Sequence, residues 1–192
     1  TVTSRYDGEG GVAMSSFVRQ AAFALRFGEL EPLISNFVTD ESRIMYIRDV
    51  QERVAVLAPF LHWDADPYPV IIDGRIQYVL DAYTTTSMYP YAQRADTDQL
   101  PDGSGLDHAF NYARNSVKAV VDTYDGTVSL YIVDEDDPIA AAYDGAFPDL
   151  FTSIEDMPDT LREHLRYPED LFRVQTNVWG RYHIDGAQNF YE

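Results

Sequence analysis

The chain has 192 residues, no cysteine, and 32 Asp+Glu against 14 Lys+Arg, for a net charge of −18. An apolar content of 45% is too high for a disordered chain, and no apolar run approaches the roughly 20 residues of a membrane helix. A disulfide framework is excluded, and a surface this acidic repels nucleic acid.

A domain of this length buries a core without staples, so one soluble domain over 1–192 is expected. One lysine, Lys118, stands among 13 arginines, and Asp outnumbers Glu by 22 to 10. Surplus Asp reads as a hydrated surface before it reads as a cation site. Freedom from cysteine favours an exported segment. The chain opens on Thr1 without a signal-peptide pattern, which implies chain upstream.

Residues 1–11 are polar and glycine-rich and read as extended. From Val12 to Phe27, the residues Met14, Phe17, Val18, Ala21 and Leu25 share one helical stripe, and Gly28 supplies the stop. A short helix follows at Pro32. Asp49 and Glu52 form a capping-box-like start for a helix with Val50, Val54, Leu57 and Leu61 on one side. Residues 42–48 either extend that helix or form a short strand.

Two hairpins come next. Val70–Ile72 and Arg75–Thr84 flank Asp73-Gly74; Val117–Tyr124 and Thr127–Asp134 flank Asp125-Gly126. Asp-Gly between strand-like runs predicts a two-residue turn, because both central residues need positive φ. In the second hairpin Val117, Ala119, Val121 and Thr123 share a face with Val128, Leu130 and Ile132, and that face is the expected core. In the first, Arg75, Gln77, Val79, Asp81 and Tyr83 lie opposite Ile71, Ile76, Tyr78 and Leu80.

Residues 94–107 read as a flexible polar loop, and 134–158, acidic and punctuated by proline, as largely irregular. Pro158 opens a short helix with Leu161 and Leu165. Pro168 opens another, with Glu169 and Asp170 at the positive end of its dipole and Leu171, Val174, Val178 and Tyr182 on its stripe. Asp185-Gly186 ends it. This order of elements gives an α+β fold: an antiparallel sheet of about four strands, with N-terminal and C-terminal helices packed on one face.

The stretch Trp63–Gln93 is densest in candidate residues. Asp64, Asp66, Tyr68, Arg75, Asp81 and Tyr83 cluster near predicted turns and form the candidate ligand-binding set. Asp64-x-Asp66 offers two carboxylates to a divalent cation, but it lacks the further ligands and glycine of an EF-hand loop. An Asp-Pro turn, with Asp accepting backbone N–H groups, is the stronger reading, and no metal residues are assigned. Asp134–Asp137 read as a solvated loop. Arg43, Arg48 and Arg53 lie among Asp40, Glu41, Asp49 and Glu52 and read as structural ion pairs. None of the 4 histidines sits at a metal-ligand spacing, and Thr84–Ser87 has no adjacent base. No nucleophile elbow, P-loop or dinucleotide fingerprint occurs. No catalytic residue is assigned, and the balance is against an enzyme. The alternative is a cell-envelope hydrolase that uses two clustered carboxylates as acid and base. A third possibility, a structural part of a larger assembly, predicts a large exposed apolar patch.

The strings RDVQERV, LAPFL, DPYPV, DGRI, DAYTT, YPYAQ, NSVKAVVDTYDG and LRYPEDLF occur in order along most of the chain. In these the chain resembles the uncharacterised protein family 0182, least closely over residues 1–30 and at Gly186-Ala187. The resemblance implies an internal piece of a large bacterial membrane protein, with several N-terminal membrane helices and a long soluble region outside the cell. It implies no activity and no catalytic residues. The expected role is an extracytoplasmic module that binds a ligand or a partner, beginning with the remainder of its own chain.

Overall fold

The structure, a computed structural model, describes residues 6–8, 10–35 and 37–183. Helix α1 (Phe17–Phe27) lies between two caps: Ser16 Oγ accepts from Arg19 N at 3.3 Å, and Gly28 takes φ 71°. The apolar stripe read from Met14 overran this start. Val12–Ala13 form β1, paired antiparallel with β2 (Arg43–Ile44), and Met14 N bonds Ser42 O at 2.8 Å. Helix α2 (Glu31–Ile34) packs on α1. Helix α3 (Val50–Leu57) begins as its capping signal predicts, with Asp49 Oδ1 accepting Glu52 N at 2.9 Å. The arginines of this region reach carbonyls: Arg53 bonds Gly126 O at 2.6 Å and also Ile47 O, and Arg43 bonds Gly10 O at 2.6 Å.

The sheet has six strands, not four: β3 (His62–Trp63), β4 (Tyr68–Ile72), β5 (Arg75–Thr86), β6 (Tyr112–Asp122), β7 (Val128–Ile132) and β8 (Phe151–Ser153). β3 and β4 both pair along one side of β5, and β6 and β7 follow on the other. β8 runs parallel to β7, so the sheet is mixed. Strands of two and three residues are too short to show alternation, which is why β3 and β8 are silent in the sequence.

Asp73 (φ 49°) and Gly74 (φ 77°) form the expected two-residue turn. The second turn is longer. Val121 pairs with Val128, and Asp122 N bonds Thr127 O at 3.0 Å, which leaves four residues, 123–126, in the loop. The Asp122 carboxylate accepts from Tyr124 N and Asp125 N at 2.8 and 2.9 Å, and this side-chain bond competes with the tighter turn. The register therefore moves by two residues. A shift of two preserves facing, so Val117, Ala119 and Val121 still meet Leu130 and Ile132 in the core.

Helices cover both faces rather than one. On one, Val54 of α3, its C-cap Ala58 and Ala140 of α4 (Pro138–Ala146) pack on Leu80, Ala82, Val117 and Ala119. On the other, Met157 and Leu161 cover Val79 and Val120, and Val174 of α6 (Glu169–Tyr182) covers Tyr83. Leu161 belongs to α5 (Asp159–Arg162). Segment 134–158 is more ordered than its acidity implies, since it holds α4 and β8. Asp137 as N-cap, Pro138 in the first turn and the alanines that follow were the signal. Helix α6 ends at Tyr182, and the expected stop at Asp185-Gly186 lies outside the described residues.

Helix α1 is the exception to the predicted packing. Its main neighbour is α2, and Phe17, Val18 and Leu25 of its stripe face outward. Residues 6–8 reach the sheet instead: Tyr6 OH donates to Asp125 Oδ1 at 2.8 Å, and its ring lies 5.1 Å from that of Tyr124.

The 94–107 segment is irregular, with Leu106 fully buried and Gly105 N bonded to Trp63 O at 2.8 Å. A Cβ at Gly105 would meet Trp63 N and, at 2.6 Å, Trp63 O. Backbone cannot yield as a side chain does, so Gly105→Ala is expected to destabilise the fold by about 2–3 kcal/mol, measured by denaturant unfolding. Gly145→Ala, inside α4 with open space around its Cβ, is the control and should be neutral or stabilising by up to about 1 kcal/mol, the helix-propensity difference.

Candidate functional site

Period-two alternation puts Val79, Asp81 and Tyr83 on one face of β5. The ladder sets Lys118 of β6 directly opposite Asp81. Both are buried, and the only lysine of the chain bonds Asp81 Oδ1 and donates to Arg166 O at 3.1 Å. Burial pushes the Asp81 carboxyl up, and the Lys118 ammonium opposes that shift.

Asp64 sits where β3 gives way to β4. Its Oδ1 accepts Asp66 N at 2.9 Å, the Asx turn that the Asp-Pro spacing predicts. Its Oδ2 accepts Asp170 N at 3.0 Å and the Tyr83 hydroxyl. Tyr83 Oη in turn accepts Leu171 N at 3.3 Å. Asp170 and Leu171 open α6, whose N-cap is Pro168, a residue with no side-chain oxygen to offer. Asp64 and Tyr83 thus cap, from the sheet face beneath it, a helix distant in sequence and satisfy two N–H groups that it cannot satisfy itself. Asp170 Oδ2 returns a bond to Ala65 N at 3.0 Å. Asp170 Oδ1 is buried as well, and the Ser104 hydroxyl and Ala65 N–H favour the charged carboxylate against burial. Burial pushes both the Asp170 carboxyl and the Tyr83 phenol up, and the Asp64 carboxylate adds to each.

The remaining candidates divide. Tyr68 joins this face: its hydroxyl accepts Arg166 N at 3.1 Å, and the Arg166 guanidinium lies 4.4 Å from its ring centroid. The Asp66 side chain is exposed. Arg75 sits at the other end of β5, bonded to Asp125 at 3.0 Å. Four of the six candidate residues are therefore brought together, and two are not.

The sequence reading passed over another buried carboxylate, on the opposite face of the sheet. Asp137 accepts from Ser116 Oγ at 2.6 Å, Tyr112 OH at 2.8 Å, Ile139 N at 3.1 Å and Thr84 Oγ1. Burial alone would raise its pKa; these four donors outweigh it and hold the carboxyl below the usual range. The Tyr112 phenol is pushed up to about 12, by burial and by Asp137. Asp134, Glu135 and Asp136 stay at or near the surface, so only the last of this acidic run departs from the solvated loop expected.

His62 and His108 stack with centroids 4.1 Å apart. His108 Nδ1 lies 2.9 Å from Gly105 O, which can only accept, so the proton sits on Nδ1 and Nε2 faces Thr85 Oγ1 at 3.0 Å. Burial and His108 together lower the His62 pKa. Thr85 thus has a histidine partner 23 residues away, beyond the reach of motif reading. The contact staples the 101–108 loop to β5. Among the described residues no group of three or more His, Asp or Glu is placed to hold a metal ion. Asp64, Asp81, Asp137 and Asp170 are at most 3% exposed, so none presents an oxygen to a substrate.

The fold and its sealed acidic interior define an α+β module built on a sheet covered from both sides. The chain belongs to the Uncharacterised protein family (UPF0182), whose profile matches residues 1–192. It is 48% identical over 200 residues to a UPF0182 protein of Frankia alni, covering 99% of this chain and 20% of that protein. The Thermobifida fusca relative is 46% identical over 196 residues (97% and 19%), and that of Corynebacterium glutamicum 44% over 200 residues (100% and 20%). The chain spans about a fifth of the length of these relatives. No solved structure matches it. Among the described residues no helix is long and apolar enough to cross a membrane.

Two measurements check the interior. Lys118→Met leaves a buried carboxylate unpaired and should cost about 3–5 kcal/mol in denaturant unfolding. The double variant Asp81→Leu/Lys118→Met removes both charges and should return to within about 1 kcal/mol of wild type. If the two substitutions instead cost independent amounts, the pair is not coupled.

Asp170 carries a pH signature. Its pKa is raised on folding, so the folded state binds the extra proton. Its contribution is greatest below the unfolded carboxylate pKa of about 3.9 and is lost as pH rises through the raised value. Asp170→Asn keeps an acceptor and removes that titration. The melting temperature of the variant relative to wild type should therefore climb from pH 4 to pH 8. A difference that is flat or falling with pH contradicts the assignment.

Proposed function

We propose that this chain is an extracytoplasmic binding module of a multi-pass membrane protein, and that its first partner is the remainder of its own polypeptide. One observation carries the proposal: Phe17, Leu25 and Phe37 are 72%, 87% and 94% exposed, and Val18, Leu30 and Ile34 around them are exposed as well. A doubly capped amphipathic helix normally turns its apolar stripe inward. Here the stripe faces outward beside a second exposed apolar segment, the patch expected of a part of a larger assembly, and the module is read as docking into that assembly through it. Relatives about five times as long as this chain supply ample polypeptide to cover it. Family membership and the absence of cysteine support an extracytoplasmic setting, and the acidic composition, with arginine in place of lysine, fits it. We assign Asp64, Tyr68, Asp81 and Tyr83 to the support of α6 rather than to a ligand. The carboxylates of the candidate cluster that a hydrolase would use, Asp64 and Asp81, are buried, which weighs against that reading.

The test is sedimentation velocity on the 192-residue chain, with binding of an apolar dye, for wild type and for Phe17→Ser/Leu25→Ser. Wild type should self-associate or bind dye. The double variant should lose both and keep its unfolding free energy within about 1 kcal/mol, because the substituted side chains are exposed. In the full-length protein, a photo-crosslinker at position 18 should capture another segment of the same polypeptide. A monomeric wild-type chain that binds no dye overturns the proposal.

A further inference from the structure

The tip of the β5–β6 hairpin departs from the composition around it. Between Asp81 and Asp96 there is no Asp or Glu, in a chain that carries 32. The one charge there is Arg94. Asn111 clamps the tip: its Oδ1 accepts Tyr89 N at 3.0 Å, and its Nδ2 donates to Tyr89 O at 2.8 Å and Ala92 O at 3.2 Å. Tyr89 stacks on Tyr112 at 5.4 Å, and Tyr91 is held at φ 59°, a conformation that costs a bulky residue energy.

Beside this tip lies a groove of about 460 Å³ against α6, walled by Phe110, Leu171, Val174 and Val178. That volume falls in the range of small-molecule sites. Arg94 and Arg181 stand among its lining residues. Arg181 is paired with Asp96, whereas Arg94 has no ion pair or hydrogen bond among the described residues. Two arginines and one aspartate leave the rim with a positive charge on a molecule of net charge −18. Most of this surface repels an anion; here an unpaired guanidinium borders an apolar trough.

We propose that the groove binds a single-chain amphiphile with an anionic carboxylate or phosphate head. Arg94 takes the head, and the apolar wall on Phe110 and α6 takes the alkyl chain. A guanidinium pairs with either head through charge-assisted hydrogen bonds. A purely polar anion would leave the wall uncovered, and a neutral amphiphile would leave Arg94 unanswered. This site is separate from the α1–α2 surface, and either reading can fail without the other.

Isothermal titration calorimetry of the 192-residue chain with decanoate and with decyl phosphate, both below their micelle concentrations, tests it. Decyl maltoside serves as the neutral control. Saturable binding at one site is expected for the anions. Arg94→Gln should weaken it about tenfold, the loss of one charge-assisted contact. Val178→Asp should abolish it. Both positions are exposed, so the two variants should keep the wild-type melting temperature. Sedimentation with phosphatidylglycerol vesicles separates the sources: co-sedimentation lost in Arg94→Gln assigns the head to a bilayer lipid, and binding of the monomers alone assigns it to a free amphiphile. The proposal is overturned if neither anion binds saturably, if Arg94→Gln binds as wild type does, or if decyl maltoside binds as tightly as the anions.

Discussion

Strands β5 and β6 are each buried over six consecutive residues, Val79–Thr84 and Ser116–Val121, with no face left to water. Every polar side chain along them must find its partner inside the protein. The rest of the architecture follows from how those demands are met. Asp81 and Lys118 answer each other across the ladder. Tyr83 reaches Asp64, and the two hold the start of α6 on one face. Thr84 and Ser116 reach Asp137, which caps α4 on the other. One pair of strands thus fixes a helix N-terminus on each side of the sheet, through carboxylates that lie outside the strands.

Much of this was legible in the sequence, and the failures share a cause. The hairpins, the cap of α3, the start of α6 and the inward face of β6 follow from local pattern. Facing survived even where the second turn proved longer, because the register moved by an even number of residues. The second buried face was not legible. Alternation put Asp81 and Tyr83 on one face of β5 without telling whether that face is covered, and α5 and α6 bury it together with Lys118. A two-sided sheet needs information about which helices return, and here they return from about a hundred residues away: Asp64 and Asp170 are 106 apart. Asp64, Tyr68, Asp81 and Tyr83 gather because they satisfy the interior, and nothing in their spacing tells a helix cap from a ligand site. Helix α4 was hidden by composition, its capping aspartate read as one more surface acid.

This division gives the interior carboxylates a structural part. The interior carboxylates are enclosed and engaged, while the apolar residues of α1 and α2 and the acid-free tip of the β5–β6 hairpin lie at the surface. A strongly acidic protein keeps itself soluble by charge, so surface regions that set charge aside stand out as places of contact. For a chain that aligns with a fifth of its relatives' length, such regions are where the surrounding polypeptide and any ligand are to be sought.

Native-state hydrogen exchange on the 192-residue chain tests this account most directly. Amides of Val79–Tyr83 and Val117–Val121 should exchange only through global unfolding, with protection equal to the unfolding free energy. Amides of α1 and α2 should exchange through smaller, local openings, because their apolar faces are uncovered in the isolated chain. Fast exchange around Asp81, Tyr83 and Lys118 would contradict the account. It would show that these side chains open to solvent in the folded protein and return the candidate cluster to consideration as a binding site.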